Sequence, residues 1–222
     1  FANERTIEGD SLYYDKNKGF ASATNNIEVI DTLQNFIAKG NYAELFEQKD
    51  SLFIIKRAVA ISIIDRDSMF VHGDTIMITG KPDERIVRTF NDVKIFKTDL
   101  QGKCDSIHTD QKKGLTRMFR NPILWSDQNQ ITGDTIHLIS NTETEKLDSL
   151  KVLNNSFIAS KDSISNEDFD QIKGRNMFGK FYNNKLKTLL VKGNAESVYF
   201  NRNEETQKLE TITKEISSNI EF

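Results

Sequence analysis

The sequence predicts an all-β protein built of stacked antiparallel strands, and three features carry that prediction. Short runs alternate apolar and polar residues with period two, clusters of Asp, Asn, Gly and Ser punctuate them, and one phrase recurs along the 222-residue chain. The phrase is Asp, then Ser or Thr, then an aliphatic residue. It stands at Gly9-Asp10-Ser11-Leu12-Tyr13-Tyr14, Lys49-Asp50-Ser51-Leu52-Phe53-Ile54, Gly73-Asp74-Thr75-Ile76-Met77-Ile78, Cys104-Asp105-Ser106-Ile107-His108-Thr109 and Gly133-Asp134-Thr135-Ile136-His137-Leu138.

Each phrase predicts a turn followed by a strand, because Asp and Gly favour tight turns and the residues after them alternate. Alternation places Leu12, Leu52, Ile76, Ile107 and Ile136 on one apolar face. About one hairpin downstream comes a second marker, Asn followed by an aliphatic strand, at Asn26-Ile27, Asn91-Asp92-Val93, Asn121-Pro122-Ile123 and Asn155-Ser156-Phe157. A third echo joins Gly40-Asn41-Tyr42-Ala43-Glu44-Leu45-Phe46 to Gly193-Asn194-Ala195-Glu196-Ser197-Val198-Tyr199-Phe200.

The starts at Asp74, Asp105 and Asp134 recur at about thirty residues, a period typical of stacked arrays. A unit of that length cannot bury its apolar face alone, so stacking must supply the core. Helix competes only near 41–50, where the repeat favours strand, and near 163–172, which reads as a polar loop or a short helix. No linker rich in Gly, Pro or Ser interrupts the chain, which predicts one domain over residues 1–222.

Composition excludes several functions. The net charge of -3 comes from 30 basic and 33 acidic residues that interleave, leaving no electrostatic footprint for nucleic acid. No apolar run approaches the ~18 residues of a membrane-spanning helix. The single cysteine, Cys104, forbids an internal disulfide and reads as a small strand residue. Phe1 is not an initiator methionine, so a mature or trimmed chain is expected, with any export signal already removed.

Chemistry is sparse. The positioned acids Asp10, Asp50, Asp74, Asp105 and Asp134 stand where Asp caps backbone donors. His108 and His137 hold equivalent repeat positions, but on the face opposite Ile107 and Ile136, and no third ligand is marked, so no metal site or cofactor is expected. Neither a Walker-type loop nor a GxSxG elbow is present. The aromatics Tyr14, Phe20, Phe46, Phe53, Phe96, Trp125, Phe157, Phe181 and Phe200 sit in alternating runs, either as ordinary core or as the lining of an apolar trough.

These starts and second strands, and above all the run MFGKFYNNKLKTLLVKGNAESVYF from Met177 to Phe200, resemble the OstA-like family. This is the lipopolysaccharide-transport family that includes LptA and the amino-terminal domain of LptD. The resemblance covers essentially the whole chain, in the style of Bacteroidetes members. It implies a β-jellyroll or β-taco, a solenoid of V-shaped rungs whose apolar interior groove opens along one side. It further implies a periplasmic, non-enzymatic conduit or bridge component that delivers lipopolysaccharide to the outer membrane, in free or outer-membrane-associated form. The expected partners are the lipid A acyl chains, other Lpt-type β-jellyroll proteins joined end to end by strand pairing, and further copies in a homo-oligomer. The chain stops mid-strand by its pattern at Asn219-Ile220-Glu221-Phe222, so further rungs are expected to follow it.

A conduit has a physical rationale, because each exposed methylene of an acyl chain costs about 0.8 kcal/mol in water. Alternation and the family's inward positions assign the groove lining to Leu12, Tyr14, Leu52, Ile54, Ile76, Ile78, Ile107, Ile136, Leu138 and Phe181. A one-residue slip in register would turn every one of them to the other face. The alternatives are a β-repeat binding or structural scaffold with a fully packed interior and no lipid cargo, and a β-helical polysaccharide-processing enzyme. The enzyme requires clustered acids on an outer face, which the sequence does not mark.

Overall fold

A computed structural model describes residues 5–32, 35–64, 67–81, 84–144, 146–162, 164–165, 167–182 and 185–222. The all-β, antiparallel prediction holds: among the described residues the only helical element is a 3-10 turn at Glu47–Lys49. The chain divides into two compact units, Phe1–Met118 and Phe119–Phe222.

The first unit contains β1 (Arg5–Glu8), β2 (Ser11–Asp15), β3 (Phe20–Asp31), β4 (Phe36–Phe46), β5 (Ser51–Ile64), β6 (Asp67–Thr79), β7 (Ile86–Lys97), β8 (Leu100–Asp110) and β9 (Leu115–Phe119), whose last residue crosses the boundary. Pairing follows chain order from β3 to β8, with β1 and β2 both on β3. The second unit contains β10 (Ile123–Ser126), β11 (Asn129–Thr132), β12 (Thr135–Ser140), β13 (Leu147–Lys161), β14 (Phe169–Tyr182), β15 (Lys185–Arg202) and β16 (Leu209–Glu221). Its strands pair in the order β10, β11, β13, β14, β15, β16, with β12 also on β13.

The long strands break register near their middles, between Thr24 and Ile27, Ile55 and Ala58, His72 and Thr75, Phe90 and Val93, Leu153 and Ser156, and Lys192 and Ala195. At many breaks two successive residues take left-handed backbone angles: Asn25 and Asn26, Lys56 and Arg57, Asn91 and Asp92, Asn154 and Asn155, and Gly193 and Asn194. Asn and Asp tolerate this region better than other residues with a Cβ, which is why the second sequence marker carries them. Each break bends the strand, so every unit has two arms joined at a corner. In the first unit, one arm holds β1, 27–31 of β3 and 36–40 of β4; the other holds β2, 20–24 of β3 and 42–46 of β4. The core cluster draws on both, with Val29, Ala38 and Ala60 from the first arm and Ala43, Ile54 and Ile76 from the second.

The recurring phrase therefore has a different meaning from the predicted one. Gly73-Asp74 and Cys104-Asp105 do not open strands; β6 and β8 run straight through them. Gly9-Asp10 and Gly133-Asp134 do lie between strands, yet they serve the same corner. The two markers are two halves of one joint: Asn26 Nδ2 donates to both carboxylate oxygens of Asp10 at 3.1 Å, and Asn155 Nδ2 donates to Asp134 Oδ1 at 3.0 Å. Asp50 differs, closing the 3-10 turn with a left-handed φ of 42°. The segment near 41–50 is strand up to Phe46 and then that turn. Near 163–172, Phe169–Ile172 belong to β14, while Ser163 and Asn166 lie outside the described residues.

Candidate functional site

Cross-strand partners share a face, so the register tables give the inward rows directly. In the second arm of the first unit one row runs Leu12, Ala23, Ala43, Ile54, Ile76, Thr89, Ile107 across consecutive strands. The adjacent row runs Tyr14, Ala21, Leu45, Leu52, Ile78, Val87. In the first arm Ile7, Val29, Ala38, Ala60, Val71 and Ile95 form the facing row.

Side-chain size changes along these rows. In the second arm, positions 21, 23 and 43 on β3 and β4 are alanine, whereas the same two rows continue with Ile54 and Ile76 beyond Ala43 and with Leu45, Leu52 and Ile78 beyond Ala21. Where the alanines sit, a cavity of about 490 Å³ opens, lined by Ile7, Leu12, Tyr14, Val29, Leu45 and Leu52 together with those alanines. That volume lies within the ~300–1,000 Å³ of sites that enclose small ligands. Polar groups reach it from Thr6, Glu8, Tyr13 and Ser22. At the rim the Tyr14 hydroxyl donates to the Glu47 carboxylate at 3.2 Å, and desolvation together with that carboxylate raises the phenol above its ordinary pKa.

The predicted lining residues divide between this cavity and packed interior. Leu12, Tyr14 and Leu52 line the cavity, and Leu12 and Tyr14 remain 57% and 45% exposed because, among the described residues, β2 pairs with β3 alone. Ile54, Ile76 and Ile136 are fully buried, Ile78 and Ile107 nearly so. Leu138 and Phe181 are half-buried on the inward rows of the second unit. Sequence reasoning missed Ile7, Val29, Leu45 and the alanines. The alternation Ala21-Ser22-Ala23 was the available signal, since small residues in a core row mark missing volume.

Most of the aromatics lie elsewhere. Phe20, Phe46, Phe53, Phe96, Phe157 and Phe200 alternate out of phase with buried neighbours and so face outward; the Phe20 and Phe46 rings meet in a tilted arrangement, 5.2 Å between centroids. His108 also faces outward, edge-on to Phe90 at 5.7 Å. Burial first, then Arg88 and Arg117, push its imidazole below the ordinary pKa. Among the described residues no group of His, Cys, Asp and Glu is placed to hold a metal ion.

Comparison with known proteins now identifies the lineage. The family described as "LptA/(LptD N-terminal domain) LPS transport protein" matches over residues 4–145, well over half of the chain. The chain belongs to this family. Membership agrees with the resemblance read from the sequence and gives the chain a role in lipopolysaccharide transport, in a family of transport proteins and not of enzymes. Among solved structures, the crystal structure of LptH, the LptA homologous periplasmic component of the conserved lipopolysaccharide transport device from Pseudomonas aeruginosa, aligns with a TM-score of 0.47 and 17% identity, covering 52% of this chain and 82% of that one. A comparison with curated proteins returns no match.

Proposed function

We propose that this family member binds the acyl chains of lipopolysaccharide in the apolar interior of its first unit and acts as a passive periplasmic conduit toward the outer membrane. The observation that carries the reading is the 490 Å³ cavity between inward apolar rows. An acyl chain seated there leaves water at a gain of about 0.8 kcal/mol per methylene, with the sugars left outside. Leu12, Tyr14 and Leu52 make first contact; Ile54, Ile76, Ile78 and Ile107 continue the rows of the first unit and receive lipid as its arms part, and Ile136, Leu138 and Phe181 have the corresponding role on the inward rows of the second. Residues 1–222 belong to a single OstA-like β-repeat domain in this reading. Edge strands at both ends join other Lpt-type proteins or further copies; among the described residues β16 pairs with β15 alone and leaves Ile212 57% and Ile216 70% exposed.

A second reading, a packed scaffold without cargo, draws on the complete burial of Ile54, Ile76 and Ile136. A photoreactive residue at Leu52, inside the cavity, with a matched probe at Phe53 on the outer face, separates the two. Lipopolysaccharide crosslinked from position 52 and not from 53 supports the conduit. Absence of capture from either position, in folded protein, rejects it in favour of the scaffold.

A further inference from the structure

We propose that Asp31 and Arg85 form a strap that fastens the two arms of the first unit across their open side. Asp31 ends the first-arm half of β3, at the point farthest from the Asn25–Asn26 corner. Arg85 stands immediately ahead of the second-arm half of β7, farthest from the Asn91–Asp92 corner. Arg85 Nη2 nevertheless donates to Asp31 Oδ2 at 2.9 Å, with side chains only 7% and 5% exposed. Strands β4, β5 and β6 intervene in the pairing order, so the bond crosses the interior instead of running along a sheet. The backbone behind Arg85 is held separately, because its carbonyl accepts from Gln111 N at 3.0 Å. Parting the ion pair therefore does not require the turn to unravel.

The choice of a charged pair here has a physical consequence. Burying two charges takes back most of their attraction in lost hydration, so such a pair adds little net stability compared with an apolar seal. When it parts at a mouth, both charges regain water, whereas an apolar seal regains nothing. The result is a contact of defined geometry that opens reversibly. It lies two residues outward of Val29, which lines the cavity, and of Val87, which pairs with Ile78. The strap thus closes the interior between the alanine-lined cavity and the isoleucine-filled end. That acyl cargo is what passes it rests on the preceding reading; the closure itself does not.

The test uses the full chain with Cys104→Ser. Ile78→Cys reports beneath the strap, and Val152→Cys, fully buried in the second unit, reports global opening. Arg85→Glu sets two like charges face to face, and alkylation at position 78 should quicken at least about tenfold, with position 152 unchanged. The reversed pair Asp31→Arg/Arg85→Glu should return position 78 toward its original rate. Equal acceleration at both positions, no acceleration at 78, or failure of the reversed pair to restore protection each overturns the strap. If Arg85→Glu does not fold, the neutral pair Asp31→Asn/Arg85→Gln carries the same comparison. Entry of a dansyl-labelled fatty acid should quicken in parallel. A probe that never binds, while the alkylation pattern holds, rejects the lipid reading and leaves the strap standing.

Discussion

Replacing Gly73 by alanine asks whether the corners are set by space. The backbone of Gly73 is not left-handed, so an alanine meets no conformational obstacle; the obstacle is its neighbour. A Cβ built there lies 2.5 Å from Thr89 Cγ2 and 3.0 Å from the Phe90 carbonyl oxygen. Carbon atoms prefer a separation of about 3.5–4.0 Å, so one of them must move by roughly 1 Å. Thr89 has little freedom to do so, because it is fully buried between Ile76 and Ile107 in the inward row. Overpacking of this kind costs about 1–3 kcal/mol. For a chain of this size that corresponds to a fall in Tm of about 2–12 °C, measured by circular dichroism.

The decisive comparison adds Thr89→Ser, which deletes the obstructing methyl. Alone it should destabilise by about 1 kcal/mol, the value of a lost buried methyl group. Together with Gly73→Ala it should destabilise less than the sum of the two, with a coupling of at least about 1 kcal/mol in urea unfolding. Additive effects, or a neutral Gly73→Ala, would refute the reasoning. The same geometry recurs at Gly40 against Ile54 and Gly133 against Val152, each at 2.5 Å, so the result bears on the construction of every such corner.

Two further outcomes follow from the same geometry. Lys56 and Arg57 hold left-handed angles of 63° and 64° at the β5 corner, where Asn is better tolerated, so Lys56→Asn/Arg57→Asn should stabilise by about 1 kcal/mol; an unchanged urea midpoint would contradict this. Asp162 has its carboxyl lowered from 3.8 to about 2 by the Arg202 hydrogen bond, then by the Ser165 and Ile164 amides. Its contribution is complete above the unfolded value of 3.8 and is lost as pH falls through about 2. A carboxyl-carbon NMR titration should show that midpoint in the parent chain and a rise toward the ordinary value in Arg202→Gln; equal midpoints would remove Arg202 as the cause.

The inward face was legible because period-two alternation survives without knowledge of pairing: Leu12, Ile76 and Ile107 fall on one row, while Leu52, aligned with them by the recurring phrase, falls on the adjacent row of the same face and Ile54 takes its place. The corners were not legible as corners. A turn that reverses the chain and a bend that carries it into a second arm draw on the same Asn, Asp and Gly, so Gly73-Asp74 reads identically for either. Strand length was the missing clue: β13 spans 15 residues, far beyond the ~5–6 of a typical strand, and so long a strand is apt to bend. The cavity was hidden for another reason. It depends on the volumes of Ala21, Ala23 and Ala43 relative to the residues opposite them; the run Ala21-Ser22-Ala23 marks small side chains, but which residues lie opposite is fixed only by the pairing.

Those alanines also bear on which reading of the interior is physically coherent. The space is open to solvent along one side, where Leu12 and Tyr14 are exposed, so water meets apolar walls that larger side chains would cover. A pure scaffold would gain by filling the space with leucine at positions 23 and 43, as β5 and β6 do with Ile54 and Ile76 in the same row. Small residues there make sense if the space has an occupant: an acyl chain supplies the apolar contacts that the side chains withhold, and it can leave again. On the proposed conduit reading, the labour within the first unit divides along the row: the alanine end receives lipid, the end filled by Ile54 and Ile76 stays packed, and the Asp31–Arg85 pair fastens the arms between them.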